Sequence, residues 1–178
     1  MAALAHRTRG WFVSLTDHVL SPAWEAALAE AGRYVFAPLP YVAPGSRVRL
    51  LGDGPSNWTT WIVVARPRTA EMAKWGTLAG AYVLPPGMKV NLPVIGGKPI
   101  WLGCALVRDY SRPGDLVVDP CCGAGTFGVA ALREGRRAIL GDIDESRIAL
   151  AAQWITAPWR PAPTDKEAPE SPQVSLFP

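Results

Sequence analysis

Asp119-Pro120-Cys121-Cys122-Gly123-Ala124-Gly125-Thr126 is the stretch of this chain best equipped for chemistry, and Asp142 follows Asp119 by 23 positions. Glycines directly after a short apolar run let a small ligand approach the backbone, because no Cβ stands in the way. An acid about 20 residues further on is placed to accept hydrogen bonds from ribose hydroxyls. Gly123-x-Gly125-x-x-Gly128 also fits the dinucleotide fingerprint by letter, which alone is a weak signal. Loop and acid together predict a site for an adenosine-type ligand; a glycine-rich connection that binds nothing is the plainer alternative. Cys121 and Cys122 are expected to pack under the loop, since neither has the His partner that would make it a nucleophile. Three cysteines without a C-x-x-C pair give neither a zinc site nor a disulfide framework.

A loop of this kind needs a strand before it and a helix after it. Asp115–Asp119 (DLVVD) reads as a buried strand, Thr126–Glu134 as a helix stopped by Gly135, Arg137–Asp142 as a second strand and Glu145–Ile155 as a second helix. An apolar helix opened by Lys98-Pro99 and running through Asp109 precedes them, with Arg112-Pro113-Gly114 as the turn between. This βαβα order implies an α/β fold with a parallel sheet. Residues 11–68 read as β-rich, with strand candidates at Trp11–Leu15, Tyr34–Ala37, Arg47–Leu51 and Thr60–Ala65. They hold one helix, Pro22–Ala31, for which Ser21 is the expected N-cap and Gly32 the stop. Residues 69–97 lack periodicity and read as an irregular insertion. Six prolines among residues 158–178 predict a disordered tail, leaving residues 1–157 as one domain.

The length of 178 residues, 49% of them hydrophobic and 19% charged, fits that single core. No apolar run approaches the roughly 20 residues of a membrane helix, and residues 1–15 lack the features of a secretory signal. A cytoplasmic protein is expected. The net charge of +3 permits a nucleic-acid partner without demanding one. A nicotinamide-binding domain normally opens on the glycine loop and adds several strands after it; here the loop unit comes last, which argues against a dehydrogenase.

Residues 96–153 resemble the C-terminal half of the amino-methylating DNA methyltransferases, enzymes of the adenine or cytosine exocyclic amine in which the catalytic motif precedes the cofactor motif. Lys98-Pro99 matches the family's Lys-Pro helix. Asp119 to Thr126 matches its D-P-F-x-G-x-G-T loop, with Cys121 in place of Phe, and Asp142 matches an acid that is commonly Glu. Residues 11–68 resemble the segment after the catalytic motif less specifically. The resemblance implies a Rossmann-like methyltransferase fold with a mostly parallel sheet flanked by helices, incomplete on its N-terminal side. It also implies S-adenosylmethionine as cofactor, with Asp119 and the backbone of Pro120, Cys121, Cys122, Gly123, Ala124, Gly125 and Thr126 on the methionine part. Asp142 would then lie on the ribose, and Lys98 and Pro99 would flank the methionine end. A bacterial or phage role in DNA methylation, of the restriction-modification type, goes with it.

The family's D-P-P-Y-type catalytic loop is not found. Pro38-Leu39-Pro40-Tyr41 lacks its polar residue and is read as a decoy. No catalytic residue is therefore assigned. A fragment, a split enzyme completed by a partner chain and an inactive cofactor- and DNA-binding relative remain open, as does RNA as the methylated polymer. Arg47, Arg49, Arg66, Arg68 and Lys74, with Lys89, are candidate phosphate contacts, and Trp58, Trp61 and Trp75 candidate base-stacking groups. A solvated sheet edge over core tryptophans is the alternative. The tail's Gln173-Val174-Ser175-Leu176-Phe177 resembles the peptide by which bacterial proteins dock on the DNA sliding clamp, with Gln173, Leu176 and Phe177 as anchors.

Overall fold

The structure, a computed structural model, describes residues 2–45, 57–88, 90 and 96–157. Strand β4 (Thr59–Arg66, TTWIVVAR) is the axis of the N-terminal part. Its β-branched run suits a strand covered on both faces, and Ile62, Val63, Val64 and Ala65 are buried. Alternation divides them. Ile62 and Val64 enter a core with Tyr41, Tyr82, Leu102, Leu106 and Tyr110, whereas Val63 and Ala65 meet Ala5 and Leu28. The helices supplying that second layer are α1 (Ala2–Arg7) and α2 (Ser21–Glu30). Arg33 fastens this corner by donating to the carbonyls of Ala5 (2.9 Å), Thr8 (3.0 Å) and Gly10.

Strand β1 (Phe12–Thr16) pairs antiparallel with β4 from Phe12↔Ala65 to Thr16↔Trp61. On the other side of β4 lie β2 (Tyr34–Val35) and β3 (Leu39–Val42), both antiparallel to it. Strand β5 (Tyr82–Val83) adds to β3 in parallel. The segment read as an irregular insertion thus contributes β5 and a single-turn helix, α3 (Ala70–Ala73), capped by Thr69. The decoy tetrapeptide Pro38–Tyr41 runs into β3, and Tyr41 is buried in the core. Ser21 does not cap α2. It is the first helical residue, buried, with its hydroxyl donating to Glu25 (3.0 Å), while the Asp17 carboxylate accepts from the Val19 (2.9 Å) and Leu20 (2.8 Å) N–H groups. The strand expected at Arg47–Leu51 and the tail from residue 158 lie outside the described residues.

The C-terminal part follows the expected order: α4 (Ile100–Tyr110), β6 (Leu116–Asp119), α5 (Thr126–Arg133), β7 (Arg137–Leu140) and α6 (Glu145–Thr156). Strands β6 and β7 pair in parallel, Leu116↔Arg137 to Asp119↔Leu140, as a two-stranded sheet; β6, expected to be buried, leaves Leu116 and Val118 exposed, because no described element covers that face. The α/β class holds, and the sheets are more mixed than the resemblance suggested. Three pairings are antiparallel, because β1, β2 and β3 all pair with β4 in that sense. Helix α4 joins the two parts. Its Leu102, Leu106 and Tyr110, spaced by four, face the β4 core. Its Gly103 lies against α5, so closely that an added Cβ would stand 3.1 Å from that of Ala130.

Candidate functional site

The carboxyl ends of β6 and β7 lie side by side, and backbone bonds lock the two loops that leave them. Gly141 N–H donates to the Asp119 carbonyl (2.9 Å) and Cys122 N–H to the Gly141 carbonyl (2.9 Å). The turn closes through Gly125 N–H to the Cys122 carbonyl (2.8 Å). Gly123 adopts φ +52° and Gly125 φ +86°, so the chain reverses into α5 through left-handed conformations that glycine takes without steric cost. Around the Cα of Gly123 there is open space, whereas Gly125 backs onto Ala151 of α6.

Two carboxylates frame this loop. Asp142 accepts from Gly123 N–H (2.8 Å) and Asp144 N–H (3.1 Å). These bonds hold its pKa below the ordinary carboxylate range, the Gly123 contact being the larger cause. Asp142 is therefore an ionised acceptor, fixed by one oxygen to the loop it faces. Asp119 accepts from Cys121 N–H (3.1 Å). Burial nonetheless pushes its pKa up, against that bond and with the charge of Asp142 adding to the rise. On the α4 side, the buried Thr126 hydroxyl donates to the Lys98 carbonyl (3.0 Å), tying the Lys-Pro turn to the start of α5. Lys98 donates its ammonium to the Gly96 carbonyl (2.9 Å), and burial lowers its pKa.

The structure thus brings together Lys98, Pro99, Asp119 to Thr126 and Asp142. One detail differs from expectation: Cys122 is buried and burial raises its thiol pKa, but Cys121 is exposed and does not pack under the loop. The reason is local. The Asp119 carboxylate captures the Cys121 N–H, and the chain turns outward there.

The candidate phosphate contacts lie elsewhere. Arg66 and Arg68 stack over Tyr34, 4.8 and 5.4 Å from the ring centroid, at the end of β4 that pairs with Phe12. Lys74 caps α3 and is exposed. Trp75 donates its indole N–H to the Asp109 carbonyl (2.8 Å) near the C-terminus of α4. The Lys98 contact marks the other end of that helix, and 11 residues span about 16 Å. Arg66 and Trp75 are therefore remote from the glycine loop. Trp58 is exposed and Trp61 half-buried on β4, whereas Arg47, Arg49, Lys89, Gln173, Leu176 and Phe177 lie outside the described residues.

Comparison with known proteins agrees with this geometry. Residues 97–153 match the DNA methylase family of the N6/N4 type. The fold is similar to that of M1.HpyAVI in complex with SAM, at 17% identity and a TM-score of 0.69, covering 87% of this chain and 81% of that one. It is similar to TTHA0409, a putative DNA modification methylase from Thermus thermophilus complexed with S-adenosyl-L-methionine, at 18% identity and 0.63, covering 86% and 74%. The cytosine-N4-specific PvuII DNA methyltransferase gives 16% identity and 0.60, covering 81% and 63%. No curated protein matches in sequence. At these identities the structural likeness speaks to the fold.

Proposed function

We propose that this chain, whose residues 97–153 match the DNA methylase family, is the cofactor-binding part of an S-adenosylmethionine-dependent enzyme that methylates an exocyclic amine of adenine or cytosine in DNA. The observation that carries the reading is the Gly123 N–H bonded to Asp142 across the carboxyl ends of two parallel strands. The residues fit the cofactor. Open space at Gly123 admits a ligand to the backbone, and the ionised Asp142 retains lone pairs for ribose hydroxyls. The methionine end would meet Asp119, Cys121 and the Lys98-Pro99 turn. When bound, S-adenosylmethionine supplies an electrophilic methyl group on sulfur. The chain's own part is to hold that group in place, with Asp142 kept ionised by the N–H groups of Gly123 and Asp144.

The residue that would accept from the target amine is not among those described at the site, so we assign it to a segment carrying the D-P-P-Y-type motif, in a longer form of this chain or on a partner chain. DNA is the proposed substrate. Arg66, Arg68 and Lys74 are proposed to hold phosphates away from the reacting base, with Arg47 and Arg49 as further contacts. The Gln173, Leu176 and Phe177 side chains are proposed to dock on the sliding clamp; unaltered clamp binding by Phe177→Ala would refute that. No described helix is long and apolar enough to cross a membrane, and the cytoplasm, where DNA and clamp reside in bacteria, is the proposed location.

Calorimetric titration with S-adenosylmethionine tests the central reading. Binding by the wild-type chain and loss of binding in Asp142→Ala are expected. A folded wild-type chain that does not bind would leave a degenerate relative and remove the enzyme from consideration.

A further inference from the structure

The far end of α4 carries a cavity that the cofactor reading does not use. It has a volume of about 370 Å³ and lies among Trp11, Phe36, Trp75, Tyr110, Met72 and Arg66. That size falls in the lower part of the roughly 300–1,000 Å³ range of small-ligand sites. Its walls are aromatic and set against one another. Trp11 lies 5.6 Å from Phe36, 5.8 Å from Trp75 and 5.2 Å from Tyr110 between ring centroids. The indole N–H of Trp11 is buried and has no acceptor among the described residues, an arrangement that costs free energy unless something fills it.

Cations flank these rings. The Arg66 guanidinium lies 5.8 Å from the Phe36 centroid and spends one N–H on the Pro67 carbonyl (3.1 Å). Arg112 stacks on Trp75 at 4.0 Å and spends one on the Trp75 carbonyl (3.3 Å). No carboxylate pairs with either side chain among the described residues. The acids nearby are engaged: Asp109 accepts from the Tyr82 hydroxyl (2.6 Å) and Asp115 from the Arg112 backbone N–H (2.7 Å). A guanidinium has five N–H donors, and Arg66 and Arg112 each give one to a carbonyl, so others remain for an oxyanion. Flat aromatic walls with free guanidinium edges beside them match a planar base joined to a phosphate.

We propose that this cavity is a nucleotide site, separate from the cofactor site. Its base stacks against the walls formed by Trp11, Phe36 and Trp75, and its phosphate lies on Arg66, the cation that lines the cavity. The site does not depend on methyl transfer. The same chemistry is offered by a free mononucleotide and by a nucleotide within a single DNA strand.

The test uses pyrimidines, so that the adenosine-type site does not respond. Labelled single-stranded dT8 is titrated by fluorescence anisotropy, with dTMP as competitor, against the wild-type chain and the Arg66→Ala, Ala79→Trp and Asp142→Ala variants. Ala79 lines the cavity and is exposed, so Ala79→Trp fills the space without opening the core. Wild type and Asp142→Ala are expected to bind alike, and each of the other two at least about tenfold more weakly, the size of one lost stacking or charge-assisted contact. Full competition by dTMP assigns the site to free nucleotides, and weak competition to a strand. Absence of binding by the folded wild-type chain, or equal binding by all folded variants, overturns the proposal.

Discussion

Gly125→Ala tests the backbone on which the proposed cofactor site stands. Gly125 has φ +86°, beyond the narrow left-handed well open to other residues. An alanine there costs about 1–2 kcal/mol in conformation alone. Its Cβ would lie 2.8 Å from the Cβ and 3.2 Å from the Cα of Ala151, so part of the clash is with helix backbone and no rotamer change relieves it. Overpacking of this kind costs about 1–3 kcal/mol more. The two together give a loss of about 2–5 kcal/mol, and each 1 kcal/mol should lower Tm by roughly 2–4 °C for a chain of this size. Gly123→Ala is the internal control. It sits at φ +52° in open space and should lose only the conformational share, about 1–2 kcal/mol. Urea unfolding of both variants, with Ala151→Gly alone and combined with Gly125→Ala, separates strain from contact. A coupling of about 1 kcal/mol or more between positions 125 and 151 is expected. Equal losses in the two glycine variants with no coupling would refute the close approach of loop and α6.

Four further outcomes follow from the same geometry. Burial raises the folded-state pKa of Asp119 above its unfolded value, so ionising it weakens the fold at neutral pH, and that penalty disappears as pH falls. Asp119→Asn should therefore melt higher than wild type at pH 7, and the gap should close in melts taken towards pH 4. Asp142 has the opposite sign: its contribution is present at neutral pH and lost as pH falls through its lowered pKa, so Asp142→Ala should converge on wild type in acid. Of the three cysteines only Cys121 is exposed, while burial raises Cys122 and takes Cys104 to about 11, so a thiol reagent at pH 8 should modify one group per chain quickly and two slowly. Buried Arg136 donates to the Ser111 carbonyl (2.8 Å), the Ser111 hydroxyl (2.9 Å) and the Glu134 carbonyl. Arg136→Ala should cost about 1–3 kcal/mol in chemical denaturation, the penalty of leaving such acceptors unpaired.

The C-terminal part was legible in sequence because each of its decisions is local. Gly135 ends α5, the VV pair fills β6, and the glycines between strand and helix fix the loop. The N-terminal part was harder, for reasons that lie across the fold. Strand β3 contains Pro40, and proline ordinarily argues against a strand. It is tolerated because β5 pairs only with Tyr41 and Val42, so Pro40 lies past the end of that neighbour. Ser21 reads as the cap of α2, but the Asp17 side chain, four residues earlier, accepts from Val19 and Leu20 N–H in the turn leading into the helix, and Ser21 becomes the first helical residue. Nothing in the spacing of Trp11, Arg66, Trp75 and Tyr110 announces a common cavity. Long-range pairing alone brings the start of β1, the end of β4 and the end of α4 together.

The two-stranded β6–β7 sheet supplies the last prediction. Parallel strands are ordinarily covered on both faces, and a two-stranded sheet is marginal by itself. Here Leu140, on one face, meets α5 at Gly128, while on the other Leu116, Val118 and Ile139 remain 45%, 54% and 55% exposed. Among the described residues β6 pairs only with β7, so its other edge is free. A strand added there in parallel would end beside Asp119, where the proposed function needs a group acting on the target amine, and its connecting helix would cover the bare face. The bare face and the unfound catalytic loop then have one common solution. Val118→Lys separates this from a merely imperfect surface. In this chain alone the substitution should change stability by less than about 0.5 kcal/mol, because the side chain it replaces is already exposed. With a catalytic segment supplied in trans, radiolabelled methyl transfer to DNA should fall sharply, since the lysine would be buried without a partner. A large loss of stability in the isolated chain would show that the face is already covered; undiminished transfer in the complemented enzyme would show that the segment docks elsewhere.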